Sequence, residues 1–131
     1  MIIGAVNTYR EAVIRLVIGN VQGQSQEIDV VVDTGFNGAL TLPPDLIKAL
    51  GLPFRRSGRA LLADGSETLF DVYEAIVDWD GQARRVPVDA AETARLLGMV
   101  LLEGYELRVQ GRAGGDVFIT PLPGLPVSEA A

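Results

Sequence analysis

The chain has 131 residues, a formal net charge of −6, no cysteine and no histidine. That excludes Cys nucleophiles, Ser-His-Asp triads, disulfide frameworks and Cys/His zinc sites, so any hydrolytic chemistry must rest on carboxylates, hydroxyls, lysine or an oxygen-liganded metal. The 11 basic residues are scattered, with only Arg55-Arg56 and Arg84-Arg85 adjacent; a nucleic-acid partner, which needs a dense basic surface, is not expected.

The length suits one domain. Apolar residues make up 48% of the chain but aromatic ones only 6%, so the core is aliphatic; 15 glycines and seven prolines imply tight turns between short strands. Residues 1–7 have neither the basic start nor the long apolar stretch of a signal peptide, and no apolar run approaches the roughly 20 residues of a membrane span. A soluble, cytoplasmic protein is the expectation.

The first expected strand covers 11–19 and the second 26–33, joined by a polar turn at 20–24 into a hairpin; Val30, Val31 and Val32 are β-branched and suit a pleated, half-buried surface. Residues 34–38 form a loop and 39–42 a short strand. A short helix is expected over 44–50, with proline at its start, Asp45 in its first turn, and Gly51 and Pro53 past its end. Residues 57–78 hold a hairpin with Asp64-Gly65 at its tip, and Asp80-Gly81 makes a second turn between strands 69–79 and 84–89. Both Asp-Gly pairs favour a type I′ turn. The alanine-rich 90–95 segment suggests one helical turn, and 99–103 another that closes at Gly104. Residues 105–110 and 116–121 alternate as a last hairpin, and the tail from Pro123 is expected to fray. The sum is a mainly β barrel or sandwich with one or two short helices.

The chemistry is concentrated in Val30-Val31-Val32-Asp33-Thr34-Gly35. An apolar strand delivers a carboxylate to the edge of the core; a small hydroxyl follows, then a glycine that permits a sharp turn and close backbone approach. A lone carboxylate is a weak catalyst for peptide hydrolysis. Two in contact share a proton, so that one is a base for water and the other an acid toward the substrate carbonyl. The chain has a single Asp-Thr-Gly, so the second carboxylate must come from a second copy, which a two-fold dimer supplies.

In these features the sequence resembles the retropepsin-like aspartic proteases, the single-domain kind found in retroviruses and bacteria. The resemblance runs in order through Asp33-Thr34-Gly35, the following strand Ala39-Leu40-Thr41-Leu42-Pro43, the hairpin Ala63-Asp64-Gly65-Ser66 at the place of the family's flap, and Leu96-Leu97-Gly98 before a short helix. It implies a closed β barrel over residues 1–121, a proline-rich tail over 122–131, and a homodimeric endopeptidase whose substrate cleft lies between subunits. It also implies roles. Asp33, Thr34 and Gly35 form the catalytic triplet, with Thr34 bonding across the dimer axis. Phe36, Asn37 and Gly38, with Ala63, Asp64, Gly65 and Ser66 of the flap, contact substrate. Leu96, Leu97 and Gly98 support the active-site loop. No cofactor is implied. The chain departs from the pattern at Phe36, where the family often has Ala or Ser, at Met99, where viral members carry Arg, and in its C-terminal segment.

A competing reading is a catalytically silent barrel kept for dimerisation or peptide binding, which a Phe36 ring filling the cleft would favour. Asp78, Asp80 and Asp89 match no cation-loop spacing, so no metal is expected. Asp29 falls on the solvated side of its strand.

Overall fold

The computed structural model describes residues 1–92 and 94–124. Ten strands and two short helices follow in the order β1 (Ile2–Val6), β2 (Ala12–Gly19), β3 (Ser25–Val32), β4 (Leu40–Leu42), α1 (Pro44–Ala49), β5 (Phe54–Leu61), β6 (Glu67–Trp79), β7 (Gln82–Ala90), β8 (Leu96–Leu97), α2 (Met99–Leu102), β9 (Tyr105–Val109) and β10 (Asp116–Pro121). Strand neighbours run β5-β6-β7-β4-β8-β3-β2-β1-β10-β9, and β6 also pairs with β2 through Ile18↔Val77 and Gly19↔Ile76. That extra pairing closes β6, β7, β4, β8, β3 and β2 into a ring, the closed barrel expected of the sequence. β5 lies outside the ring against β6, and β1, β10 and β9 extend it from β2.

Period-two patterning fills the barrel. Ile14, Leu16 and Ile18 of β2, Ile28 and Val30 of β3, Ala75, Val77 and Trp79 of β6, and Val86 and Val88 of β7 are buried in one cluster with Leu40, Leu42 and Leu97. The alternate positions Arg15, Val17 and Asp29 face water, and Arg15 bonds Asp29 at 3.0 Å. Trp79 meets Tyr105 edge to face at 5.4 Å, and its buried indole N–H finds no acceptor among the described residues. α1 begins at Pro44, whose missing N–H costs nothing in a first turn, and stops where Gly51 takes φ +64°. It buries Ile47, and Leu50 beyond its end is buried beside it. Among the described residues no helix is long and apolar enough to cross a membrane.

Several expectations need correction. Residues 2–6 form a strand between β10 and β2. β7 begins at Gln82 and runs on through Ala90, and the described residues of 91–95 contain no helical turn. The two Asp-Gly turns also differ. Asp80 and Gly81 both have positive φ, as type I′ requires. At the other tip only Gly65 does; Gly65 N–H donates to Leu62 O at 3.0 Å and Leu62 N–H to Ser66 O at 2.7 Å. This is a type I turn followed by a left-handed glycine, a three-residue connection. Of the tail, residues 125–131 lie outside the described ones.

Leu97 is fully buried where β8 passes between β3 and β4. Leu97→Ala is expected to cost about 2–5 kcal/mol of unfolding free energy in urea denaturation.

Candidate active site

β8 is the centre of the site. It runs parallel to β3 (Val31↔Leu96, Val32↔Leu97) and antiparallel to β4 (Leu40↔Leu97, Thr41↔Leu96), so the loop joining β3 to β4 has to pass around its end. Four main-chain bonds fix that passage. Asp33 N–H donates to Leu97 O at 2.9 Å and Gly98 N–H to Ala39 O at 3.0 Å, while Met99 and Val100 N–H donate to Phe36 O at 2.9 Å and Gly38 O at 3.1 Å. The last two are N–H groups of the first turn of α2, which have no partner within a helix. The loop carbonyls satisfy them.

Asp33 stands just beyond β3, half-buried. Its Oδ1 accepts the Gly35 N–H at 2.9 Å and its carbonyl accepts the Phe36 N–H at 3.1 Å, an Asx turn within a tight turn. The carboxylate is therefore oriented by its own loop. Asp33 and Thr34 line an open groove of about 440 Å³ with Leu96, Val31, Leu107, Val109 and residues 10–12. A second groove, of about 600 Å³, continues along the same face past Val31, Val13, Ala5 and Arg95. Thr34 is exposed, and its hydroxyl makes no hydrogen bond among the described residues.

Phe36 turns inward. A β-carbon at Gly38 would lie 2.5 Å from its Cζ, and one at Gly98 would lie 2.6 Å from its Cδ2 and 2.6 Å from its carbonyl oxygen, besides striking Gly38 O. The ring therefore packs over two positions that have no side chain. Asn37 is exposed. Ala63 to Ser66 sit at the tip of the β5–β6 hairpin, which is exposed from Leu61 to Leu69, and share no hydrogen bond with 33–38 among the described residues. There Asp64 accepts the Ser66 hydroxyl and, at 2.9 Å, its N–H, and these bonds hold the carboxyl below its ordinary range.

Two contributors escaped the sequence reading. Thr41, buried between two core leucines, donates to Ala94 O at 2.8 Å and accepts the Leu96 N–H at 2.9 Å, so its hydroxyl joins β4 to β8. A hydroxyl inside Leu40-Thr41-Leu42 was the available signal. Asp89, opposite Thr41 in the β4–β7 pairing, is half-buried; loss of water raises its carboxyl, with Arg56 opposing. No cluster of three metal-ligating side chains occurs among the described residues.

No family model matches the chain, and neither does any curated protein. Among solved structures it is similar to a retropepsin-like aspartic protease from Rickettsia conorii, with a TM-score of 0.55 and 20% sequence identity over 91% of each chain. The closed ring, the loop passing around β8 and this likeness together define the class: the chain has the retropepsin-like fold.

Gly98→Ala would force a methyl group into the Phe36 ring and two loop carbonyls. It is expected to cost about 1–3 kcal/mol, the range of core overpacking, and to loosen the Asp33 loop, seen as faster amide exchange at Asp33, Met99 and Val100. The folded state holds the Asp89 carboxyl above its unfolded pKa, so it binds that proton more readily. Asp89 thus subtracts stability above the ordinary Asp range, near about pH 4, and subtracts nothing well below it. Asp89→Asn is expected to raise the melting temperature at pH 7 and leave it unchanged near pH 3.

Proposed function

We propose that the chain is an aspartic endopeptidase whose residues 1–121 form the protease domain and which works as a homodimer. The observation that carries this is Asp33 itself: a half-buried carboxylate, oriented by the Gly35 N–H, lining an open groove on the retropepsin-like fold. Two such groups brought together by a two-fold axis would share one proton. The ionised member takes a proton from water as the oxygen adds to the peptide carbonyl carbon. The protonated member gives its proton to the carbonyl oxygen. The tetrahedral adduct then collapses: the leaving amine takes the proton that the first carboxylate removed from water, the C–N bond breaks, and a hydroxyl of the adduct returns its proton to the other carboxylate, restoring the pair. Gly35 offers main chain to an extended substrate, and the β5–β6 hairpin with Gly65 at its tip is the flap of this reading.

The dimer has an available edge. β9 ends the sheet and pairs only with β10 among the described residues, and its Leu107 and Val109 share the groove of Asp33 and Thr34. Antiparallel self-pairing centred on Leu107 would set Glu106 opposite Arg108 of the second copy, twice, and opposite charges across a ladder favour pairing. The silent-barrel reading called for a Phe36 ring in the cleft; the ring packs on Gly38 and Gly98 and is not among the residues lining the groove of Asp33 and Thr34, which favours the catalytic reading.

Asp33→Asn is expected to lower peptide cleavage by about 10²- to 10⁴-fold or more while leaving the sedimentation coefficient of the dimer unchanged. Full activity in that variant would overturn the mechanism. Specific activity of the wild type should fall on dilution below the dimer dissociation constant; a constant rate from a sedimenting monomer would overturn the shared site.

A further inference from the structure

A second half-buried acid, Asp89, adjoins the active-site loop and has no hydrogen-bond or ion-pair partner among the described residues. Pairing steps lead to it across the sheet: Val31↔Leu96 between β3 and β8, Leu96↔Thr41 between β8 and β4, Thr41↔Asp89 between β4 and β7. Paired residues share a face, and Asp33 follows Val31 by two, so Asp33 and Asp89 both point out of the barrel. The loop itself joins them: the tight turn from Asp33 to Phe36 spans at most about 7 Å and the two residues on to Gly38, which the Asp89 carboxylate adjoins, about 7 Å more, together the reach of about four residues of extended peptide. Asp89 therefore lies within the length of substrate that a cleft centred on Asp33 would hold.

The carboxylate adjoins the loop: a β-carbon at Gly38 would sit 3.4 Å from Asp89 Oδ2 and 2.5 Å from Phe36 Cζ, so the half-buried acid lies beside the Phe36 ring. Glu74, also on the outer face, shows how the chain treats an acid that serves structure. Arg55 bonds it at 2.8 Å and Arg85 at 3.2 Å, and the Arg55 bond chiefly holds its carboxyl low. Among the described residues Asp89 accepts no hydrogen bond and joins no ion pair. Its row neighbours are Thr41, whose hydroxyl is engaged elsewhere, and the buried Val72; beyond Val72 comes Arg56, exposed and outside ion-pair distance. A half-buried acid without a partner is a standing cost. The group that would relieve it is a cation: partial burial strengthens the attraction, and a charge-assisted bond to an ionised carboxylate outweighs a neutral one.

We propose that Asp89 is a specificity-determining residue whose carboxylate, half-buried beside Gly38 and the Phe36 ring, receives a lysine or arginine side chain of the substrate within about four residues of the scissile bond. This rests on the protease reading above and adds the substrate class to it. The test uses peptides that differ only in carrying Lys, Arg or the neutral norleucine at each of the four positions on either side of the cleaved bond. The readout is the ratio of kcat/KM for basic over neutral peptides, taken for the wild type, Asp89→Asn and Asp89→Ser. The expected result is one position at which the wild type prefers the basic residue at least about tenfold, the size of one charge-assisted bond, and at which both variants bring the ratio near one. Cleavage without a basic preference at any position, or a preference that survives both substitutions, would overturn this assignment and leave the protease reading standing. If the wild type cleaves none of the peptides, the protease reading fails and this assignment falls with it.

Discussion

Everything at the site depends on one steric arrangement: a two-residue strand passing through a loop. Leu96 and Leu97 lie between β3 and β4, and the chain from Asp33 to Ala39 goes around their C-terminal end. The crossing is dense in main-chain bonds because every buried N–H there needs an acceptor. Asp33 spends its N–H on Leu97, and Phe36 and Gly38 spend their carbonyls on the first turn of α2. A carboxylate on an exposed loop would sample many orientations. Here its backbone is bonded into the sheet and its side chain is bonded to Gly35.

The crossing also explains Phe36. With glycine at both 38 and 98 the loop leaves a hollow, and the ring fills it. A small residue at 36 would leave that space open, so the residue types at 36, 38 and 98 form one packing decision. Thr41 belongs to the same unit: its hydroxyl connects β4 to the backbone around β8 at Ala94 and Leu96.

What the sequence revealed was whatever local chemistry determines. Pro44 and Gly51 bracket α1 because one lacks an N–H and the other accepts a left-handed φ. Asp80-Gly81 turns as the pair demands. Asp33 at the end of a valine run was legible because its neighbours announce both strand and turn. The remainder depends on distant partners. β1 lacks clear alternation and is a strand because β10 and β2 bond it on both sides. The Asp64-Gly65 turn took a different type because three residues, not two, connect its strands. No local pattern tells which way Phe36 points, since Gly98 lies far along the chain. Asp89 read as an ordinary strand acid, and its isolation is visible only once Gly38 and Thr41 are beside it.

β6 has a mechanical consequence. It is one unbroken strand of 13 residues, with its last third built into the barrel wall and its first third, with β5, mostly exposed. Such a strand is a cantilever: its root is clamped by Ala75, Val77 and Trp79, and nothing along it acts as a pivot. Deflection of a cantilever grows along its length, so displacement is greatest near Gly65 and dies away toward Val72. Stiffness then resides in the ladder between β5 and β6, where Phe70 lies over Gly58. The bulge beside Arg56 is the one place where that ladder loses register, and bending would concentrate there.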